Sequence, residues 1–448
     1  MKRRENKKSS LSRRDFLWVA SASTAGMLVA CAVNPVTGKR ELSLMSEGEE
    51  VAIDKQHSPH QFSADFGAVQ DPALNKYISD VGMKMTAISH RPQMPYSFRA
   101  VNATYVNAYA FPGGSIATTR GILLELENEA ELAALLGHEL GHVNARHTAS
   151  RMSKAMLLNA AVGVGAILVS SKDETAGLIT AGAGALGSTL LLAKYSRDDE
   201  RQADALGMQY MTNAGYSPEG MIGLMDVLRN LSSHKPNAIE AMFASHPMSD
   251  ERYQTAVTSS NTTYASAKDK KMSRERYMDN TTKLRKLKGA IGLMQDAQQE
   301  MGQKRYDQAE TQLKTALKQA PNDYAGLVLM TYCQLAMEKP KAAEGFAEKA
   351  KKVYPKEAQG HYLGGISKLQ QKKYSTAYQD FAAYDSLLPG NPNTTFLKGY
   401  TQENMDHKPQ AATEYKKYLQ AVNQGDEADH ARSRLIEWGY MEAPAQAQ

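Results

Sequence analysis

Cysteine is nearly absent from this chain: Cys31 and Cys333 are the only two among 448 residues. No disulfide framework is therefore expected. An excess of one charge is absent as well, because 53 basic residues face 48 acidic ones. Residues 1–30 hold seven basic and two acidic residues, which accounts for the whole net charge of +5. The remainder is close to neutral and lacks the basic stripe typical of nucleic-acid-binding proteins, so nucleic acid is not an expected partner.

The most informative segment is the sequence His-Glu-Leu-Gly-His at residues 138–142. Acidic residues followed by leucines at helical spacing precede it and predict a helix. On a helix, His138 and His142 share a face and can reach one metal ion, and Glu139 lies where it can take a proton from water. The alternative is a helix that carries two histidines by chance. A catalytic zinc site needs one more protein ligand and an open position.

A second acidic motif, YSRDDERQAD at residues 195–204, supplies a candidate for that ligand. Glu200 and Asp204 are four residues apart, so one helical face presents both carboxylates. Glu200 is the candidate third ligand. Asp204 is then placed to accept the free N–H of a ligating histidine and to fix its tautomer. The alternative is that this acidic run is only a solvated helix surface.

Four motifs occur in a characteristic order, and together they are similar to one known family. They are NAYAFPGG at 107–114, HELGH at 138–142, YSR followed by E-x-x-A-D at 195–204, and Ser245-His246-Pro247 with Arg252. Their combination resembles the zinc metallopeptidase family of the CAAX prenyl protease, HtpX and Oma-type enzymes. The resemblance covers about residues 42–265.

The resemblance implies a zincin-like metallopeptidase domain with a small β-sheet. It assigns His138, His142 and Glu200 as ligands of one zinc ion per chain, and Glu139 as the general base in peptide-bond hydrolysis. Two histidines and a glutamate suit zinc best, with cobalt and manganese as alternatives.

The segment before the metal motif is predicted to bind substrate. Residues 96–119 are rich in aromatic and β-branched side chains with a Pro-Gly-Gly break, which predicts strands joined by a turn. In related zinc peptidases an edge strand beside the site pairs with the substrate main chain, which suits extended or unfolded chains. Asn107 and Ala108 are the corresponding residues here.

His246 and Arg252 are predicted to line the metal cleft by the same resemblance. Either could stabilise the oxyanion that forms when water adds to a carbonyl. A neutral His246 imidazole could instead occupy the open metal position and switch the enzyme off. Without the family motif, a histidine before proline is as often a surface or packing residue. His147, five residues after His142 and off the ligand face, is interpreted as structural.

The N-terminus indicates export from the cytoplasm. Ser12-Arg13-Arg14-Asp15-Phe16-Leu17 resembles a twin-arginine signal, and residues 28–31, LVAC, resemble a bacterial lipobox. We therefore predict that residues 1–30 are removed and that Cys31 becomes the lipidated first residue. Ala32 is not aspartate, which favours the periplasmic face of the outer membrane. The alternative is a soluble export signal in which Cys31 is incidental.

Two apolar segments between the metal motifs, residues 156–170 and 176–193, are rich in glycine and alanine. Both are at or below the ~20 residues that a membrane-spanning helix needs. Their composition favours a helical hairpin of the peptidase domain that could touch a membrane surface. A membrane-spanning hairpin is the alternative.

The C-terminal part shows an internal repeat of 34 residues. Three columns of identical residues keep this spacing: Pro321, Pro355 and Pro389; Ala309, Ala343, Ala377 and Ala411; Leu329, Leu363 and Leu397. This period is typical of tetratricopeptide repeats, in which helix pairs stack into a solenoid. Residues 287–440 are predicted to form about four repeats and a capping helix, and residues 266–286 to be a linker or exposed helix.

The sequence thus predicts a mainly α (α+β) chain: a zincin-like domain followed by an α-solenoid. The layout resembles envelope peptidases of outer-membrane protein quality control. This implies a lipid-anchored, periplasmic zinc endopeptidase acting on unfolded or misassembled envelope proteins, with outer-membrane assembly machinery as a partner of the repeats. The alternative is a non-proteolytic chaperone or assembly scaffold with a latent or structural metal site. An intact Glu139 argues against it, because a structural zinc site needs no general base.

Overall fold

The computed structural model describes residues 31–42, 44–153, 194–234 and 236–443. The predicted signal in residues 1–30 and the two apolar segments at 156–170 and 176–193 lie outside these ranges. Within them, no helix is both long enough and apolar enough to cross a membrane.

The first half contains two small sheets. Strands β1 (Cys31–Val33) and β2 (Arg40–Leu42) form an antiparallel ribbon. Strands β3 (Ser97–Val101), β4 (Ala108–Ala110) and β5 (Ser115–Thr119) form the other sheet in the order β3-β5-β4. Strand β3 runs parallel to β5 and β4 runs antiparallel to it, so β4 lies at one edge.

The described part of this half also contains nine helices of six or more residues with both ends described. They are α1 (Glu47–Ala64), α2 (Pro72–Thr86), α3 (Arg120–Glu125), α4 (Glu129–Asn144), α5 (Arg197–Asn213), α6 (Glu219–His234), α7 (Pro236–Ser245), α8 (Asp250–Asn261) and α9 (Arg274–Arg285), with a 3₁₀ turn at Ala265–Ala267.

Helix α4 carries the HELGH segment and is buried along its whole length. The Asn128 side chain caps its first turn by accepting the Glu131 N–H. The carboxylate of Glu129 accepts hydrogen bonds from the hydroxyls of Tyr77 and Tyr216 and pairs with Arg276. The start of α4 is therefore held by three other elements.

Helices α4 and α5 pack with their backbones in close contact. A Cβ added at Gly141 would lie 2.9 Å from the Ala203 carbonyl oxygen, and one at Gly207 would lie 2.8 Å from the His138 nitrogen. Such separations leave no room for a side chain at these positions. The glycines thus allow α5 to bring its carboxylates beside the α4 histidines.

The second half is a solenoid of helix pairs, as predicted. Its helices are α10 (Lys288–Gly302), α11 (Tyr306–Gln319), α12 (Tyr324–Ala336), α13 (Pro340–Val353), α14 (Ala358–Gln370), α15 (Tyr374–Leu387), α16 (Pro392–Asn404), α17 (Lys408–Ala421) and the last helix α18 (Asp426–Glu437). One left-handed residue follows the first helix of each pair, again at 34-residue spacing: Lys304, Glu338, Lys372 and Asp406. The mostly helical fold with a small sheet and a repeat solenoid confirms the predicted fold class.

Residues 266–286, interpreted as a linker or exposed helix, contain the packed helix α9. Tyr277 is fully buried, and its hydroxyl donates to the Leu123 carbonyl oxygen at 2.6 Å. Arg276 forms an ion pair with Glu129 at the start of α4. Helix α9 therefore contacts the core of the first half directly.

The two halves meet in a polar and apolar interface. Arg120, the first residue of α3, forms a buried two-point ion pair with Asp323, the N-cap of α12. Ser63 donates to Glu357, and the Phe66 ring belongs to the hydrophobic core of the solenoid. The solenoid therefore contacts the first half at the junction between β5 and α3.

Candidate metal centre

The structure brings His138, His142, Glu200 and His246 into one buried cluster whose ligand atoms lie within 4.8 Å of one another. The Nε2 atoms of His138 and His142 are 3.1 Å apart. Glu200 places Oε1 3.4 Å from His142 Nε2 and Oε2 3.6 Å from His138 Nε2. The two histidines come from α4 and the glutamate from α5.

These separations fit a tetrahedral metal ion. Ligand atoms at the corners of a tetrahedron with bonds of ~2.1 Å, as for zinc, are ~3.4 Å apart. The three distances of 3.1, 3.4 and 3.6 Å lie around this value, although the last two are measured to different oxygens of the Glu200 carboxylate. Two imidazole nitrogens and a carboxylate are also a donor set that zinc prefers.

His246 lies at the fourth corner of the cluster. It follows α7, and its Nδ1 atom is 3.1 Å from Glu200 Oε1 and 3.3 Å from His138 Nε2. Its side chain is buried, and its Nε2 atom is 3.8 Å from Glu139 Oε1.

Asp204 and Arg252 lie behind His138. The Nδ1 atom of His138 is 2.9 Å from Asp204 Oδ1, and Arg252 donates to both oxygens of Asp204 at 2.6 and 2.8 Å. Burial alone would raise the pKa of Asp204, but the adjacent Arg252 guanidinium holds it below its ordinary value. Arg252 also approaches Glu200 Oε2 at 2.7 Å. Asp204 is therefore an anion that orients the His138 ring.

His147 lies behind His142, a contact that helical spacing did not predict. Their Nδ1 atoms are 2.9 Å apart, and His147 Nε2 is 3.0 Å from Gln202 Oε1. The Tyr195 ring stacks on His142 at a centroid distance of 3.8 Å. Tyr195 begins the second acidic motif, whose spacing does not predict this stacking. The chain turn that places His147 gave no signal in the sequence.

Glu139 is fully buried beside the cluster. Neither of its carboxylate oxygens has a hydrogen-bond partner in the part of the chain that the structure describes. Burial without compensating bonds raises the pKa of this carboxyl. A buried carboxylate without partners is costly unless a polar group joins it, and water beside a metal ion would satisfy it.

Asn107 and Ala108 lie where β4 begins, at the edge of the sheet. Strand β4 pairs with β5 and packs against α4, which carries the histidines. Both residues are buried, at 9 % and near 0 % exposure. The Asn107 carbonyl accepts the Thr119 N–H. The edge strand is therefore beside the cluster but covered.

Two known protein families match parts of this chain. The profile of peptidase family M48 matches residues 72–259, and a tetratricopeptide repeat profile matches residues 300–364. Residues 72–259 form a peptidase family M48 domain. This confirms the predicted metalloendopeptidase, and M48 peptidases are metal-dependent. The repeats follow it in the same chain.

Three named proteases are similar to this chain over different shares of their length. The beta-barrel assembly-enhancing protease of Yersinia pestis is 28 % identical over 346 residues, which cover 72 % of this chain and 71 % of that protein. The protein of that name in Escherichia coli (strain K12) is 25 % identical over 50 % of this chain and 46 % of its own length. The metalloprotease YcaL of the same strain is 25 % identical over 53 % of this chain and 94 % of its own length.

Proposed function

We propose that this chain is a zinc-dependent endopeptidase of the cell envelope that degrades unfolded or misassembled outer-membrane proteins. The observation that carries the proposal is the convergence of the His138 and His142 Nε2 atoms and the Glu200 carboxylate, 3.1 to 3.6 Å apart, beside a buried Glu139 whose oxygens have no hydrogen-bond partner among the described residues. The names of the relatives, which join a protease to β-barrel assembly, support the choice of substrate.

His138, His142 and Glu200 are the proposed ligands of one zinc ion. Bound there, zinc would polarise a peptide carbonyl and lower the pKa of water in the site. Glu139 is the proposed general base. It is the second residue of the HELGH segment, buried next to the ligand face, and its oxygens are free to accept a proton from the attacking water.

Arg252 is proposed here as a positioning residue. Its guanidinium donates to Asp204 and to the Pro247 carbonyl oxygen and contacts Glu200. Together with the second contact to Asp204, these use four of the five guanidinium N–H groups of Arg252. Asp204 in turn holds the His138 ring, so both residues act through the metal ligands.

His246 is proposed to control access to the metal. Its Nδ1 atom lies at the fourth corner of the cluster, where water or a substrate carbonyl must enter. The arrangement described here is then a resting state, and the segment after α7 must withdraw before cleavage.

Strand β4 is proposed to bind substrate through Asn107 and Ala108. An extended chain could add to its outer edge by main-chain hydrogen bonds, which select for unfolded segments rather than for particular side chains. Because both residues are buried, the cover must move before substrate binds.

The cellular setting is the remaining part of the proposal. A twin-arginine-type signal, lipidation of Cys31 and the outer membrane as destination rest on the N-terminal sequence. The repeat solenoid is the proposed binding site for outer-membrane assembly machinery or for substrates, since stacked repeats provide an extended binding surface.

Replacing Glu139 by Gln tests the proposal. The variant should bind zinc but lose cleavage of an unfolded protein and rescue of envelope defects, whereas Glu275→Gln, an exposed control on α9, should retain both. Full rescue by Glu139→Gln without cleavage would favour the rival function, a chaperone or scaffold with a latent metal site.

A further inference from the structure

Arg146 forces the chain to turn sharply after the catalytic helix. It has a φ of +59°, in the left-handed region that residues other than glycine uncommonly adopt. Its guanidinium pairs with the buried Glu50 at 2.9 Å, and Arg91 pairs with the other oxygen of Glu50 at 2.6 Å. A buried ion-pair network thus holds an unfavourable backbone conformation in place.

Because of this turn, the side chain of the next residue, His147, contacts the Nδ1 side of the His142 ring. Residues 147–153 are again helical, and His147 is 5 % exposed. Its Nδ1 atom lies 2.9 Å from His142 Nδ1, on the side of that ring opposite the cluster. The ion-pair network of Arg146 thus fixes the turn that places His147 against His142.

The proposed zinc site determines which ring nitrogen of His142 and of His147 carries the proton. A histidine that ligates through Nε2 carries its proton on Nδ1, so His142 must donate at that atom. His147 Nδ1 must then accept, which leaves the His147 proton on Nε2. That atom is 3.0 Å from Gln202 Oε1, which can only accept. The chain His142–His147–Gln202 therefore has one consistent hydrogen-bond direction.

We propose that His147 is a positioning residue for the metal: it orients His142 by accepting its Nδ1 proton, and Gln202 fixes the tautomer in which it can do so. The inference rests on the proposed zinc site. The two ligand histidines then differ in their support, since His138 has the anionic Asp204 and His142 a neutral imidazole. The imidazole partner orients the ligand, and the Asp199 carboxylate lies 3.6 Å from the far nitrogen of His147.

Zinc affinity of the full chain, measured by competition with a chromogenic chelator, tests this inference. His147→Leu removes the acceptor and should weaken zinc binding ~10–100-fold, the usual effect of losing such a partner. His147→Asn places an amide oxygen at the position of Nδ1 and should restore affinity to near the wild-type value. Gln202→Leu should cause a smaller loss. His60→Leu, a buried histidine outside the site, is the matched control and should change nothing.

The outcomes separate the inference from the proposed function. If His147→Leu is folded by circular dichroism and binds zinc as tightly as wild type, the inference is wrong although the zinc site stands. If His147→Leu does not fold, the Gln202→Leu variant decides. A zinc affinity of Gln202→Leu equal to that of the wild type then overturns the inference. An equal loss in the Asn and Leu variants also contradicts it, because packing alone would then explain the effect. Absence of zinc binding by the wild type overturns both proposals.

Discussion

Replacing Asp323 by Asn should weaken the attachment of the repeat solenoid to the M48 domain. The carboxylate forms two hydrogen bonds with the Arg120 guanidinium, and both side chains are only 3 % exposed. Asparagine remains a good N-cap for α12, whose Gly326 N–H the Asp323 side chain accepts. The substitution therefore removes the charge and leaves the helix cap.

The expected cost is large because Arg120 stays buried without its counter-charge. Breaking a buried pair by removing one partner costs ~3–5 kcal/mol, whereas an exposed pair contributes ~0–1 kcal/mol. For a unit of 150–250 residues, 1 kcal/mol shifts the melting temperature by ~2–4 °C, so we expect a decrease of ~6–20 °C in the transition that separates the halves.

The pH dependence gives a second signature. Burial alone would raise the pKa of Asp323, but the charge of Arg120 outweighs it and holds the pKa below the ordinary 3.8. A lowered carboxyl pKa stabilises the folded state above the unfolded pKa, and this contribution is lost as pH falls through the folded pKa. The difference between wild type and variant should be full at pH 7 and shrink below about pH 4.

Differential scanning calorimetry and limited proteolysis across residues 266–286 measure the effect. Asp80→Asn is the control, since its pair with Lys76 lies on the surface with side chains 75 % and 46 % exposed. A decrease in melting temperature that is the same for Asp323→Asn and Asp80→Asn would refute the reasoning, as would a difference independent of pH.

Three further predictions concern the metal centre. Gly141→Val should force α4 and α5 apart, because a Cβ there meets the Ala203 carbonyl oxygen at 2.9 Å. The free energy of unfolding should fall by ~1–3 kcal/mol, and the zinc content measured by atomic emission should decrease. A normal zinc content would contradict this. His246→Ala should increase cleavage of a fluorogenic unfolded protein while zinc is retained, and unchanged cleavage and zinc retention would rule out access control. Asp204→Asn should weaken zinc affinity ~10–100-fold in chelator competition by loosening His138, and wild-type affinity would show that Asp204 does not orient it.

The parts of the molecule that depend on local periodicity were predictable from the sequence. The 34-residue spacing of alanine and proline predicted the solenoid, because each repeat buries the same positions against its neighbours. The spacing of His138 and His142 on one helix and of Glu200 on another predicted candidates that the fold brings together.

Features that depend on the path of the chain were not predictable. The return of His147 onto His142 needs the left-handed Arg146, which is stabilised by Glu50 from a helix about 100 residues earlier. Nothing local marks an arginine for that conformation. The burial of β4 likewise results from packing of distant elements and cannot be read from residues 107–114.

Zinc content measured together with proteolysis tests the central claim most directly. The wild type and Glu139→Gln should each contain one zinc ion per chain, with cleavage of an unfolded protein lost only in the latter. Glu200→Gln, which removes the ligand charge, should lose both zinc and cleavage, while Asp198→Asn on the exposed side of α5 keeps both. Full zinc content and full cleavage in Glu200→Gln would contradict the account.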